Sequence, residues 1–173
     1  MHRRVKQTLT GLAAACLIVG TTQASATAHG GGGYTPPKVD SIVGNLVNNP
    51  TGANGVLADF QIIAASKPDG SQFVGGFRVA AKTNPVRQYI TVLTCMRVSG
   101  KLASVVGKVI WSTDPERPVG SYHRVRLEDV GSPSTYDKIQ IGTYTGDPKV
   151  CPDPIAPMRE PITSGWLSII DTV

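Results

Sequence analysis

The chain is poor in the residues that enzymes most often use. Its 173 residues hold three histidines and three cysteines, and aromatic residues make up 6%. None of the spacings G-x-S-x-G, H-E-x-x-H or C-x-x-C occurs, nor a phosphate-cradling glycine loop before a helix. A nucleophile-elbow hydrolase, a zinc protease of the helix type and a dithiol oxidoreductase are therefore without sequence support. Beyond the first 28 residues no stretch is apolar and long enough to cross a bilayer. No window there longer than about 10 residues carries a 3.6-residue apolar period, which argues against a helical bundle or an α/β fold.

What is present begins with a leader. Arg3, Arg4 and Lys6 precede a short apolar core around Leu9, Leu12 and Leu17-Ile18-Val19. The small residues that follow allow cleavage near Ala26 or Ala28. Residues 1–28 are expected to be a signal peptide, which makes the protein secreted and extracellular. Lipoprotein anchoring at Cys16 is disfavoured, because the apolar run continues past it. The leader also biases the charge. Without its three cations the 17 Lys+Arg fall to 14 against 12 Asp+Glu, so the net charge drops from +5 to +2. The basic balance is partly the leader's, and nucleic acid is not an expected partner.

Residues 29–37, HGGGGYTPP, read as a flexible lead-in, and 38–173 as a single β domain. Short β-rich runs fall at 41–46, 56–66, 72–80, 119–128, 138–145 and 165–171, divided by turn clusters such as Lys67-Pro68-Asp69-Gly70. In 56–66 the alternation sets Phe60, Ile62 and Ala64 on one face. Gly75-Gly76 suggests a bulge or tight bend. The strongest hairpin spans 88–111. With Ser99-Gly100 as its two-residue loop, Ile90, Val92, Met96, Val98, Ala103, Val105, Val109 and Trp111 share the core face. Cys95 then lies outside, whereas a three-residue loop would turn it inward. The fold class expected is all-β: about eight antiparallel strands in an up-and-down barrel or a β-sandwich.

Cys95 and Cys151 are the two cysteines beyond the leader, and export makes a disulfide their most economical use. It would close a loop of about 57 residues, a constraint of roughly 4 kcal/mol on the unfolded chain. Five prolines surround Cys151 in 147–161, so that segment must be an irregular strap. From the hairpin register it is expected to cross the outer face that bears Cys95. Candidate binding residues are Tyr122, Arg124 and Arg126, an exposed cationic-aromatic strip, with His123 and Trp111. His123 sits among apolar alternates, where a barrel-wall histidine is the commoner use. Trp111 and Trp166 are candidates to line a barrel cavity, though core packing is commoner. Asp129 and Asp137 flank a polar loop and could hold calcium, but aspartates at turn edges are usually structural. No catalytic residue, cofactor or metal ligand set is assigned.

The segments VLTCMRVSGKLASVVGKV, VRLEDVGSPSTYDKIQIG, KVCPDP and ITSGWLSIID resemble those of small exported actinobacterial proteins. Those chains carry a V-x-C-x-x-V-x-G hairpin (Ser99 stands here where Asp or Asn is more usual before the turn glycine), an acidic residue before a polar loop ending in Asp, a second cysteine and a Ser-Gly-containing final strand. The resemblance implies one β domain with one disulfide and carries no catalytic residues over. The meander with Asp69-Gly70 is also similar in outline to avidin-type barrels. The function expected is a secreted, non-catalytic β domain that binds a cell-wall polymer or another extracellular macromolecule. A small-ligand-carrying barrel, or a hydrolase assembled from scattered Asp, Glu and His, are the alternatives.

Overall fold

The computed structural model describes residues 38–48, 57–83, 85–131, 137–154 and 160–172. The expected leader, the lead-in and the 50–55 turn lie outside the described residues. Eight strands follow in chain order: β1 (Asp40–Asn48), β2 (Ala58–Ser66), β3 (Val74–Ala81), β4 (Arg87–Ser99), β5 (Leu102–Ser112), β6 (Tyr122–Glu128), β7 (Lys138–Thr143) and β8 (Glu160–Ile170). Each pairs antiparallel with its chain neighbour, and β8 returns to β1. The all-β expectation holds, and of the two architectures left open the chain adopts the up-and-down barrel. Among the described residues no helix is long and apolar enough to cross a membrane.

Alternation explains the interior. Phe60, Ile62 and Ala64 of β2 are 0–2% exposed, as their period of two requires. Leu46, Phe77, Val105, Val125, Leu127, Ile139 and Ile169 join them in one apolar cluster. Phe60 stacks at a tilt on Phe77 with ring centroids 5.8 Å apart, and Phe77 meets Tyr89 edge-on at 6.4 Å. Each such side chain contributes about 1.5–3 kcal/mol by leaving water. The turn between β2 and β3 forms as its residues dictate. Lys67 C=O accepts from Gly70 N–H at 2.8 Å, with Pro68 presetting φ at the second position.

The hairpin departs from the expected register. Its two-residue loop is Gly100-Lys101, because Ser99 pairs with Leu102 and Val98 with Ala103. Gly100 has φ +58°, the glycine-first arrangement of a type II′ turn. Met96, Val98, Ala103, Val105 and Val109 still face inward, and Cys95 still faces out. The register shifts twice farther along, between Leu93 and Cys95 and between Ile90 and Thr91. The first bulge inserts Thr94 and flips the parity of the strand before it. Tyr89, Thr91 and Leu93 therefore enter the core, while Ile90, Val92 and Trp111 are 37–43% exposed on the outer face. Each inserted residue exchanges inside for outside along the rest of its strand.

Three smaller corrections share the theme of local ladder geometry. Gly75-Gly76 makes no bulge, since β2 and β3 pair without a shift from Ala58 to Ala65. Glycine is needed there because a Cβ on Gly75 would lie 2.1 Å from Ile63 O, and one on Gly76 2.2 Å from Thr91 O. Val119 is not a strand residue but a 65%-exposed turn residue before β6. The last strand starts at Glu160, not Gly165, and Pro161 is tolerated beside its first residue.

Where the β3–β4 ladder ends at Arg78↔Ile90, a side chain continues it. Thr91 Oγ1 donates to Phe77 O at 3.1 Å and accepts from Phe77 N at 3.2 Å. Thr91→Val keeps the shape and leaves both Phe77 groups unpartnered in the interior. Its expected cost is about 1–3 kcal/mol, read as a lower urea midpoint with an unchanged slope.

Candidate functional site

Strand β6 deals the candidate residues to opposite faces. Tyr122, Arg124 and Arg126 point outward, and His123, Val125 and Leu127 point inward with 0% exposure. His123 is thus separated from the strip it adjoins in sequence. Its ring lies 5.1 Å from that of Tyr89, centroid to centroid. Its Nε2 is 3.3 Å from Ser121 Oγ.

The hydrogen-bond directions decide what His123 can do. Ser121 O–H donates to Pro118 O at 2.7 Å, so in the contact with His123 the ring N–H is the donor and Ser121 Oγ the acceptor. A serine activated by this imidazole would need the opposite direction. Among the described residues no carboxylate hydrogen-bonds the ring, whose buried Nδ1 leaves the Gly142 backbone as its polar neighbour. Burial and the Arg117 charge, partly opposed by Asp114, lower the His123 pKa from 6.5 to about 4. Burial likewise raises Tyr89. The group is a neutral barrel-wall histidine at pH 7.

The outer strip is covered rather than open. Cys95 and Cys151 form the disulfide, with Cα atoms 5.5 Å apart, and Cys151 Sγ lies 3.7 Å from Ser104 O. Residues 144–154 leave the end of β7, anchored by Tyr144 N to Tyr122 O at 2.9 Å and Tyr144 Oη to Val150 O at 2.8 Å. This strap crosses the outer face at β4–β6. Ser104 and Val106 point outward yet are 0% exposed, because the strap lies on them. Arg124 and Arg126 are only half-buried, but their Nε atoms are shut from solvent.

Trp111 belongs to a different surface. It is 43% exposed and pairs with Ile90 on the outer face; Trp166 is 52% exposed on β8. Neither lines an interior cavity. Ile63, 69% exposed on β2, pairs with Gly76, whose position lies beside Val92. Ile63, Val92, Ile90, Ile110 and Trp111 thereby form an apolar band across β2 to β5, with Val74 diagonal to Ile63. The parity of β2 already placed Ile63 opposite Ile62. The hairpin register likewise put Ile110 on the outer face, whereas Ile90, Val92 and Trp111 were hidden by the two hairpin bulges.

Asp129 and Asp137 are 6% and 4% exposed. Asp129 accepts from Ile169 N–H at 3.1 Å, Gly131 N–H at 2.9 Å and Lys101 Nζ at 3.1 Å. Burial pushes its pKa up, but these donors outweigh burial and hold it below the ordinary value. Asp137 accepts from Val130 N–H at 3.1 Å. Burial and the neighbouring Asp129 charge keep it above the ordinary value. These carboxylates are occupied by N–H donors, and among the described residues no group of three His, Cys, Asp or Glu is placed to hold a metal. The residues between Gly131 and Asp137 lie outside the described set. A shallow depression of about 320 Å³ is lined by Gly100, Lys101 and Ile169 to Asp171. Its polar groups are taken up internally, Gly100 N–H by Asp171 and Lys101 Nζ by Asp129.

Comparison with protein-family models, with curated proteins and with solved structures finds no match.

Two outcomes test these assignments. The unfolded imidazole protonates near 6.5 and the folded one only near 4, so protonation favours the unfolded chain. The contribution of His123 is complete above pH 6.5 and is lost as pH falls towards 4. His123→Leu should flatten that part of the stability–pH curve, measured by urea unfolding at fixed ionic strength. Asp129→Ala should cost about 2–3 kcal/mol, because buried N–H groups on β8 and Gly131 lose their acceptor; calorimetric melting reads it.

Proposed function

We propose that this is a secreted, non-catalytic barrel domain that acts by binding an extracellular or cell-envelope component through its outer surface. The observation that carries the reading is the apolar band of Ile63, Val92, Ile90, Ile110 and Trp111 on β2 to β5. Contiguous exposed apolar surface on a sheet is costly unless something covers it. The disulfide fits an oxidising compartment, as export would provide. Catalysis has less behind it: His123 is buried, neutral and hydrogen-bonded as a donor, and Asp129 and Asp137 accept structural N–H groups. A small-ligand carrier has less as well, since Phe60, Phe77, Tyr89, Met96 and Leu46 fill the interior at 0–3% exposure.

The test fractionates a culture and pulls the protein down on isolated envelope material. Retention is expected, together with a loss of at least about fivefold in Trp111→Ser or Ile63→Ser, a change of about 1 kcal/mol. These substitutions lie outside the core, so urea midpoints should stay put. A protein found free in the medium and indifferent to envelope material would overturn the reading.

A further inference from the structure

Arg124 and Arg126 leave the outer face of β6 two residues apart, so their side chains emerge roughly 7 Å from each other. Across the ladder Arg126 is flanked by Ser104 on β5 and Gln140 on β7, while Arg124 is flanked by Val106 and the side-chain-less Gly142. Four polar atoms of this patch are closed to solvent and have no hydrogen-bond partner: Nε of Arg124, Nε of Arg126, Oγ of Ser104 and Oε1 of Gln140. Ser104 as a whole is 0% exposed, and its side chain points to the side on which the strap lies.

Three of these atoms can supply a proton: each Nε–H can only donate and the serine hydroxyl can donate, while Gln140 Oε1 is an acceptor left without a donor. Buried donors of this kind almost always have an acceptor. Charge points the same way. Burial, and then the neighbouring Arg124 charge, lower the pKa of Arg126, and Asp153 on the strap only partly opposes them. The Nε and Nη edge of a guanidinium matches two oxygens of one oxyanion. The disulfide holds the strap on this side of the sheet, and the patch is covered rather than an open strip.

We propose that Arg124, Arg126 and Ser104 form a binding site for an oxyanion, a carboxylate, phosphate or sulfate group, beneath the disulfide-pinned strap. The oxyanion sits between the two guanidinium groups, accepts from both Nε–H groups and from the Ser104 hydroxyl, and takes the place of the missing acceptors. Arg97, exposed on the same row beyond Ser104, lies outside the covered patch. The site and the apolar band occupy different stretches of the outer face and share no residue, so anion binding and envelope retention succeed or fail separately.

The test uses the intact oxidised chain and follows the arginine Nε–H signals by NMR. Phosphate, sulfate or acetate is titrated in at constant ionic strength, balanced with chloride. The signals of Arg124 and Arg126, assigned through bonds, should shift and saturate together, while that of Arg97 stays. Arg126→Lys keeps the charge but removes the fork, and should weaken binding by about tenfold or more. Arg97→Gln should change it less than about twofold, as expected of an exposed, screened charge. Comparing a uronate monomer with its oligomer identifies the source: tighter oligomer binding marks a polymer-borne group, and equal binding a free anion. Shifts that chloride alone reproduces, that do not saturate, or that leave Arg124 and Arg126 unmoved overturn the site. The wild-type spectrum decides between these outcomes, so the test stands even where a variant fails to fold.

Discussion

A sheet closed on itself must find a partner for every backbone group along its seam, and in this barrel the last seam is short of strand. β7 has six residues and β8 eleven, and only Lys138↔Pro161 and Ile139↔Glu160 join them. Beyond that point no strand among the described residues pairs with this edge of β8. Asp129 supplies the acceptor for Ile169 N–H, and Lys101 Nζ reaches Ile169 O at 3.4 Å. Asp137 accepts from Leu167 N–H and Val130 N–H. A carboxylate has two charged oxygens and so accepts from several backbone donors at once, more strongly than a neutral side chain does. The same end is tied further by Asp129 N to Lys101 O and by Thr172 to Asp40. The Asp129–Asp137 pair belongs to this closure, and the β4–β5 hairpin is held against β8 through it.

The strap is the second organising element, and it acts on the outer face. The interior is apolar and filled, so whatever distinguishes this barrel from a generic one is written outside. The disulfide divides that outside into two territories. Over β4 to β6 the strap buries Ser104 and Val106 and half-buries Arg124 and Arg126. Over β2 to β5 the apolar band stays open. The two surfaces have opposite chemistry, one cationic and covered, the other apolar and bare.

The parts legible in the sequence are those governed by short-range rules. Alternation in β2 and β6 places Phe60, Ile62, Val125 and Leu127 inside, and Pro68-Asp69-Gly70 closes its turn as written. The pairing of Cys95 with Cys151, the outward aim of Cys95 and the strap across it also follow, although from a hairpin loop misplaced by one residue. The misplaced loop still aims Cys95 correctly because the true pairing shifts by two, which preserves facing. Ile90, Val92 and Trp111 escape the pattern because Thr94 and Ile110 each add a residue that no local signal marks. Alternation also expects His123 in the barrel wall, and the direction of its bond to Ser121 is the geometric form of that expectation.

By itself the sequence determined the strand content, the number of strands, the turn chemistry and the disulfide pair. These depend on the φ preferences of glycine and proline, the period of two and the count of cysteines, all of which act over a few residues or on the chain as a whole. The tertiary structure alone decided that the sheet closes as a barrel, where the bulges fall and which buried donors lack an acceptor. Those outcomes depend on how strands distant in the chain match in length and register. The arginines of β6 make the point: in sequence they are two cations on an alternating strand, and only the strap, pinned from Cys95, half-buries them.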